Sequence, residues 1–212
     1  MENQQMPKTP KEGKLYIGWS SRDITPDKPV YLQGQFYDRI SECVQSRLTA
    51  TVLALETRDE NDQVLEQVMI GSCDLLGVTE EILNKIRSEL EKTLPGFDAQ
   101  KLILAATHIH TGPGIIDGML TDGLHIANEL RPECGRKPDE MLTGEEYKIS
   151  LAERLCEAFR EAWISREPGT VGNALGRAVL GYNRRILYDD GTASMYGETD
   201  NVHYAGPEGP ED

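Results

Sequence analysis

The chain has 212 residues, with 36 acidic side chains against 22 basic ones and a formal charge of -14. That length suits one domain with room for a real core. The negative field, with no Lys/Arg cluster in the sequence, excludes partners held by phosphate charge, so neither nucleic acid nor an anionic membrane surface is expected. No run approaches the ~20 apolar residues of a transmembrane helix. Residues 1–13 are polar, lack an apolar secretory core and read as a disordered tail; the chain as written leans to the cytoplasm, and its localisation stays open. Cys43, Cys73, Cys134 and Cys156 are widely spaced and read as free thiols.

Order begins near Leu15. LYIGWSS predicts a strand that ends in a loop at Asp23-Ile24-Thr25-Pro26, because Pro26 biases Thr25 toward extended backbone. RLTATVLALE from Arg47 and VLEQVMIGSC from Val64 alternate around the turn residues Asp59 to Gln63, a hairpin pattern. It delivers Asp74 at a strand end. Thr79 caps a helix with Glu80 and Glu81 in its first turn and Leu83, Ile86, Leu90 and Leu94 at helical spacing; Pro95-Gly96 stops it. LILAA, 102–106, is a short continuous apolar run, which predicts a strand buried on both faces. Residues 115–142 read as a long loop with room for a short helix near 121–130. Thr143 and Glu146 form a capping box ahead of a helix to about Ser165, striped by Tyr147, Leu151, Leu155, Phe159 and Ala162. TVGNALGRAVLG, from Thr170, predicts a Gly-interrupted strand, and Tyr182–Tyr188 with Asp189-Asp190-Gly191 and TASMY predicts a second hairpin. Strands alternating with two helices give an α/β layered domain with a mixed β-sheet flanked by helices, over 14–212; an all-β sandwich is the weaker alternative.

The chemistry concentrates in Thr107-His108-Ile109-His110-Thr111-Gly112-Pro113-Gly114, directly after the LILAA run. Spacing of two in extended backbone turns both imidazoles to one side, and imidazole is the commonest zinc ligand. Polar loop residues bonded to backbone are the ordinary alternative. Gly112 allows close approach of a ligand to the backbone. Asp74 can orient an imidazole or bind a cation, or simply cap a turn. Arg184 and Arg185 point to opposite faces of a strand, so one fork can clamp a carbonyl or oxyanion. Cys73 has no base near it in sequence and reads as a buried thiol. The sequence holds no GxSxG, HExxH, Walker or GxGxxG motif.

As an ordered set, Gly18 to Pro26, Arg47, Ser72-Cys73-Asp74, the THIHTGPG element and Asn183-Arg184 resemble the N-terminal part of neutral/alkaline non-lysosomal ceramidases, over about Leu15 to Asp212. Ile109 stands where better-known members carry Thr, and Arg185 where they carry Ser, which brings the chain nearer to bacterial ceramidase-like proteins. The resemblance implies a zinc-dependent amidohydrolase splitting an N-acyl bond in ceramide or a related lipid or small-molecule substrate. It implies His108 as a zinc ligand, His110 as the neighbouring group that meets substrate or oxyanion, Arg184 as a substrate contact, and Asn183 and Gly112 as substrate-binding, with Asp74 behind the ligands. It further implies that the remaining ligands lie beyond residue 212, so that the chain is the first part of a larger catalytic domain. His125 and His203 are the substitutes available within the chain, and no motif supports either. The alternative is a noncatalytic module of the same fold that binds a small molecule or a partner chain.

Overall fold

The computed structural model describes residues 13–34, 39–115, 140–178, 180–181 and 183–209. The chain divides into two compact units, 1–170 and 171–212. The expected tail and most of the expected loop, with His125 and Cys134, lie outside the described residues.

In the first unit the strands are β1 Lys14–Asp23, β2 Tyr31–Leu32, β3 Arg39–Ile40, β4 Thr49–Arg58, β5 Val64–Cys73, β6 Leu102–Ala106 and β7 Glu167–Pro168. Five of them form one sheet in the order β6-β5-β4-β1-β7, while β2 and β3 pair as a short ribbon. Pairing is antiparallel throughout except between β5 and β6, which run parallel. A parallel pair needs a crossover, and α1, Glu80–Thr93, supplies it. The sheet is therefore mixed, and its flanking helices make the unit an α/β layer structure, as the alternation of elements predicts. The hairpin of β4 and β5 turns where Asp59 Oδ1 accepts from the N–H groups of Asn61 and Gln63, at 2.9 Å each.

Helix α2, Gly144–Ile164, starts on the expected capping box, with the side chain of Thr143 bonded to the Glu146 N–H and the Glu146 carboxylate returning to the Thr143 N–H. Its stripe Tyr147, Leu151, Leu155, Phe159 and Ala162 is buried against Ala50, Val52, Ala54 and Met69 of the sheet, and Ile82, Ile86 and Leu90 of α1 close the same core. Two small-residue positions let α2 approach closely. A Cβ on Gly18 would lie 1.8 Å from the carbonyl oxygen of Ala162, and one on Gly71 would lie 2.6 Å from Phe159 Cζ. Three buried polar side chains of this layer find partners: Ser20 Oγ donates to the Ala158 carbonyl at 2.7 Å, Tyr147 donates to that of Ile24 at 2.7 Å, and Glu56 pairs with Arg58 at 2.7 Å and Arg166 at 3.5 Å. Burial raises the Tyr147 hydroxyl well above its ordinary pKa. The Trp163 ring, near the end of α2, lies tilted against that of Phe97 with centroids 4.7 Å apart and carries the Arg166 guanidinium over its face.

Two expectations are corrected. β6 is not buried on both faces: it is an edge strand, and Ile103 is 53 % exposed. A continuous apolar run signals two covered faces only when something packs on each, and here α1 and α2 cover one. The opposite face lines up Trp19, Leu53, Ile70 and Ile103 across β1, β4, β5 and β6. Residues 171–178 form no strand either. Val171 and Leu175 face solvent, and nothing lies within 4 Å of a Cβ placed on Gly172 or Gly176, so the apolar residues there have no partner edge.

The second unit holds the expected hairpin, β8 Arg185–Tyr188 with β9 Ala193–Met195, joined by β10 Tyr204–Pro207 in the order β10-β8-β9. Asp190 accepts from the Thr192 N–H and hydroxyl to close its turn, which holds the Asp190 carboxyl below its usual pKa.

Gly18→Ala should lower unfolding stability by roughly 1–3 kcal/mol or more, because the new methyl meets backbone rather than a movable side chain, whereas Gly176→Ala should be close to neutral. Urea denaturation of the two variants with the wild type checks this.

Candidate functional site

Parallel pairing sets Cys73 beside Ala106, so β5 and β6 end side by side and release Asp74 and Thr107 from the same edge of the sheet. Carboxyl ends of adjacent parallel strands are where open α/β sheets bind ligands. The Asp74 carboxylate accepts from the Thr49 N–H at 2.9 Å, the Thr49 hydroxyl at 2.8 Å and the Thr107 hydroxyl at 3.3 Å. It thus ties together the start of β4 and the ends of β5 and β6. The residue expected to orient an imidazole is engaged with these threonines and with neither histidine.

After Thr107 the chain leaves extended geometry. His108 has φ +64°, a left-handed conformation rare for a residue with a Cβ, and its ring Nδ1 lies 2.8 Å from the Leu76 carbonyl. A carbonyl only accepts, so the proton sits on Nδ1 and the lone pair of the neutral ring is on Nε2. Metal-binding histidines are commonly fixed by such a bond from the other ring nitrogen. The His110 ring stands edge-on to that of His108, with centroids 5.1 Å apart. Both side chains are exposed. The pair does converge, yet the expected cause, alternation along an extended strand, is replaced by the left-handed turn at His108.

Gly112 is used by the fold itself. Its carbonyl accepts from the Gln33 N–H at 3.2 Å, and a Cβ there would sit 3.3 Å from the Asp74 carbonyl oxygen. The adjoining contacts continue the pairing: Leu32 bridges Pro113, and the Gly114 N–H donates to the Tyr31 carbonyl at 2.9 Å. Gly34, at φ +103°, lies directly under the His110 ring, where a Cβ would be 2.6 Å from Cγ. Gln33 and Gly34 belong to the site, and no spacing rule in the sequence marks them, since their partners lie some eighty residues on (the Gln33 to Ile115 bond spans 82). Beside the turn opens a cavity of about 410 Å³, whose walls include Pro26, Val30, Leu32, Leu48, Thr111 and Pro113.

Among the described residues no group of three or more His, Cys, Asp or Glu side chains is placed to hold a metal ion. The histidine pair suits part of a zinc shell: the Leu76 bond leaves the His108 Nε2 lone pair free, and the His110 ring stands beside it. His203 is bonded to Asp189 at 2.7 Å within the second unit. Arg184 is also in that unit, where it donates to the Tyr196 hydroxyl at 2.7 Å and lies over its ring, while Arg185 pairs with Glu208 at 3.3 Å. Asn183 accepts from the Arg185 N–H at 3.0 Å and donates to the Glu208 carbonyl. Arg184 precedes the strand that begins at Arg185, and the two arginines have different partners, Tyr196 and Glu208.

Cys73 is a core residue, and burial, reinforced by the Asp74 charge, pushes its thiol up to about 12. It is no nucleophile. Cys43 is exposed on the rim of the cavity. Alkylation at neutral pH followed by peptide mass mapping should label Cys43 in the folded protein and Cys73 only after denaturation.

No protein-family model matches the sequence, and no curated protein matches it significantly. Solved structures do resemble its fold. The neutral ceramidase from Pseudomonas aeruginosa superposes with a TM-score of 0.54 at 16 % identity, over 75 % of this chain and 23 % of that one. A ceramidase complexed with C2 superposes with a TM-score of 0.53 at 16 % identity, over 74 % of this chain and 22 % of that one. The chain therefore has a ceramidase-like α/β fold and spans less than a quarter of the length of those proteins.

Proposed function

We propose that the chain carries the histidine pair of a zinc-dependent amidohydrolase site that cleaves an N-acyl amide bond, in ceramide or a related N-acyl compound. The observation that carries this reading is the His108–His110 pair at the carboxyl ends of parallel strands, with the His108 proton committed to the Leu76 carbonyl. The likeness of fold to ceramidases supports the same reading.

His108 would hold the metal through Nε2. Zinc, when bound, supplies Lewis-acid polarisation of the amide carbonyl and activation of a water. The chain's own residues do the rest. The Leu76 carbonyl keeps His108 in one tautomer and one orientation. His110, edge-on to His108, is placed to donate a hydrogen bond to the carbonyl oxygen as negative charge develops there, where a preset donor is worth most. Gly112 serves the reaction indirectly: its carbonyl anchors the turn to Gln33 and so fixes where both rings stand.

Hydrolysis of a dye-labelled N-acyl substrate by chelator-treated protein, with and without added zinc, tests the reading. Activity should return with zinc and stay at background in His108→Ala. His110→Ala should lose roughly 100- to 1,000-fold in kcat. No zinc-dependent hydrolysis by the wild type, or full activity in His108→Ala, would remove the proposal.

A further inference from the structure

The β2–β3 ribbon reaches the histidine turn with both of its strands. Through β2 and the residues after it, Tyr31, Leu32 and Gln33 pair with Gly114, Pro113 and Gly112, which anchors the second half of the turn. Through β3, Arg39 donates from its guanidinium to the main-chain carbonyl of His110, 71 residues away in sequence. Before it in the chain, Ile109 is tied to the Leu75 carbonyl and the His108 ring to that of Leu76; at His110 itself the Arg39 bond is the hydrogen bond found among the described residues. Meanwhile the His110 ring rests on Gly34, in the same ribbon, at a spot no Cβ could share. One element thus grips His110 twice, by its carbonyl and by its ring.

The Arg39 Nε is shut off from water and finds no acceptor among the described residues, an unfavourable arrangement for a polar nitrogen. A charge-assisted bond to a carbonyl gives the side chain a reason to stay. The planar fork also fixes direction more tightly than an ammonium would. We propose that Arg39 is a positioning residue for His110: by fixing the His110 carbonyl it sets the angle at which the ring meets the reacting carbonyl. The proposal rests on the reading of His110 as the oxyanion donor, and it assigns to Arg39 a role in the turnover step and none in holding substrate.

The test combines a spectrum with kinetics. Long-range proton–nitrogen spectra of ¹⁵N-labelled protein report each imidazole directly, with signals assigned from His108→Gln and His110→Gln. In Arg39→Ala the ring signals of His110 should move while those of His203 stay, and Arg39→Lys should restore part of the shift. Across the same series kcat on the N-acyl substrate should fall roughly 10- to 100-fold, the range found when a supporting partner is removed from a ligand or donor, with KM unchanged to within about twofold. Lys101→Ala, which breaks a surface ion pair with Glu66, should change neither. Arg39→Gln serves if Arg39→Ala does not fold. Unmoved His110 signals in a folded neutral variant overturn the proposal, as does a loss expressed in KM alone. If the wild type hydrolyses nothing, the spectra still decide whether Arg39 holds the ring, and the failure falls on the hydrolase reading.

Discussion

Everything near the histidines depends on one carboxylate. Asp74 binds the start of β4 and the Thr107 that follows β6, and it is itself the residue that follows β5. Three strand ends meet on a single acceptor, so the position from which the chain departs toward His108 is set to within a hydrogen bond. A charged acceptor with three donors is stronger than neutral contacts of the same number, and losing it would free each strand end separately. The bulk of the core, α2 on the sheet, guarantees the fold; Asp74 transmits that rigidity to its edge.

From that edge the site is assembled out of segments distant in sequence. The left-handed His108 spends conformational energy to turn its ring toward the Leu76 carbonyl, and such strain persists only where the surroundings enforce it. The enforcement comes from both sides, by Thr107 on Cys73 and Ile109 on Leu75 behind, and by the β2–β3 ribbon in front. A turn clamped in this way presents two imidazoles without burying them, which suits groups that must meet a ligand from solution.

Local signals carried much of this into the sequence. The Thr143–Glu146 box, the Thr79 cap and the β4–β5 alternation each rest on neighbours within a few residues, so they are legible without tertiary knowledge. The histidine pair was legible too, through its place after an apolar run. What was hidden required partners from afar. Nothing in LILAA tells whether a second layer covers it, and residues 171–178 read like part of a Gly-interrupted strand yet find no edge to join. Gly34 and Gln33 look like loop residues until the turn they support is folded against them. Asp74 was visible as a strand-end carboxylate, but its partner could not be chosen, since Thr49 and Thr107 advertise nothing that a histidine does not.

The chain contains two tryptophans, and the fold gives them opposite surroundings. Trp163 is buried in contact with Phe97 and Arg166, while Trp19 is 62 % exposed at the end of the apolar row that reaches Ile103. Their emission therefore separates two events that a single probe would merge. The shielded indole reports whether α2 remains seated on the sheet, and the other, open to aqueous quenchers, reports whether anything has come to rest on the bare face.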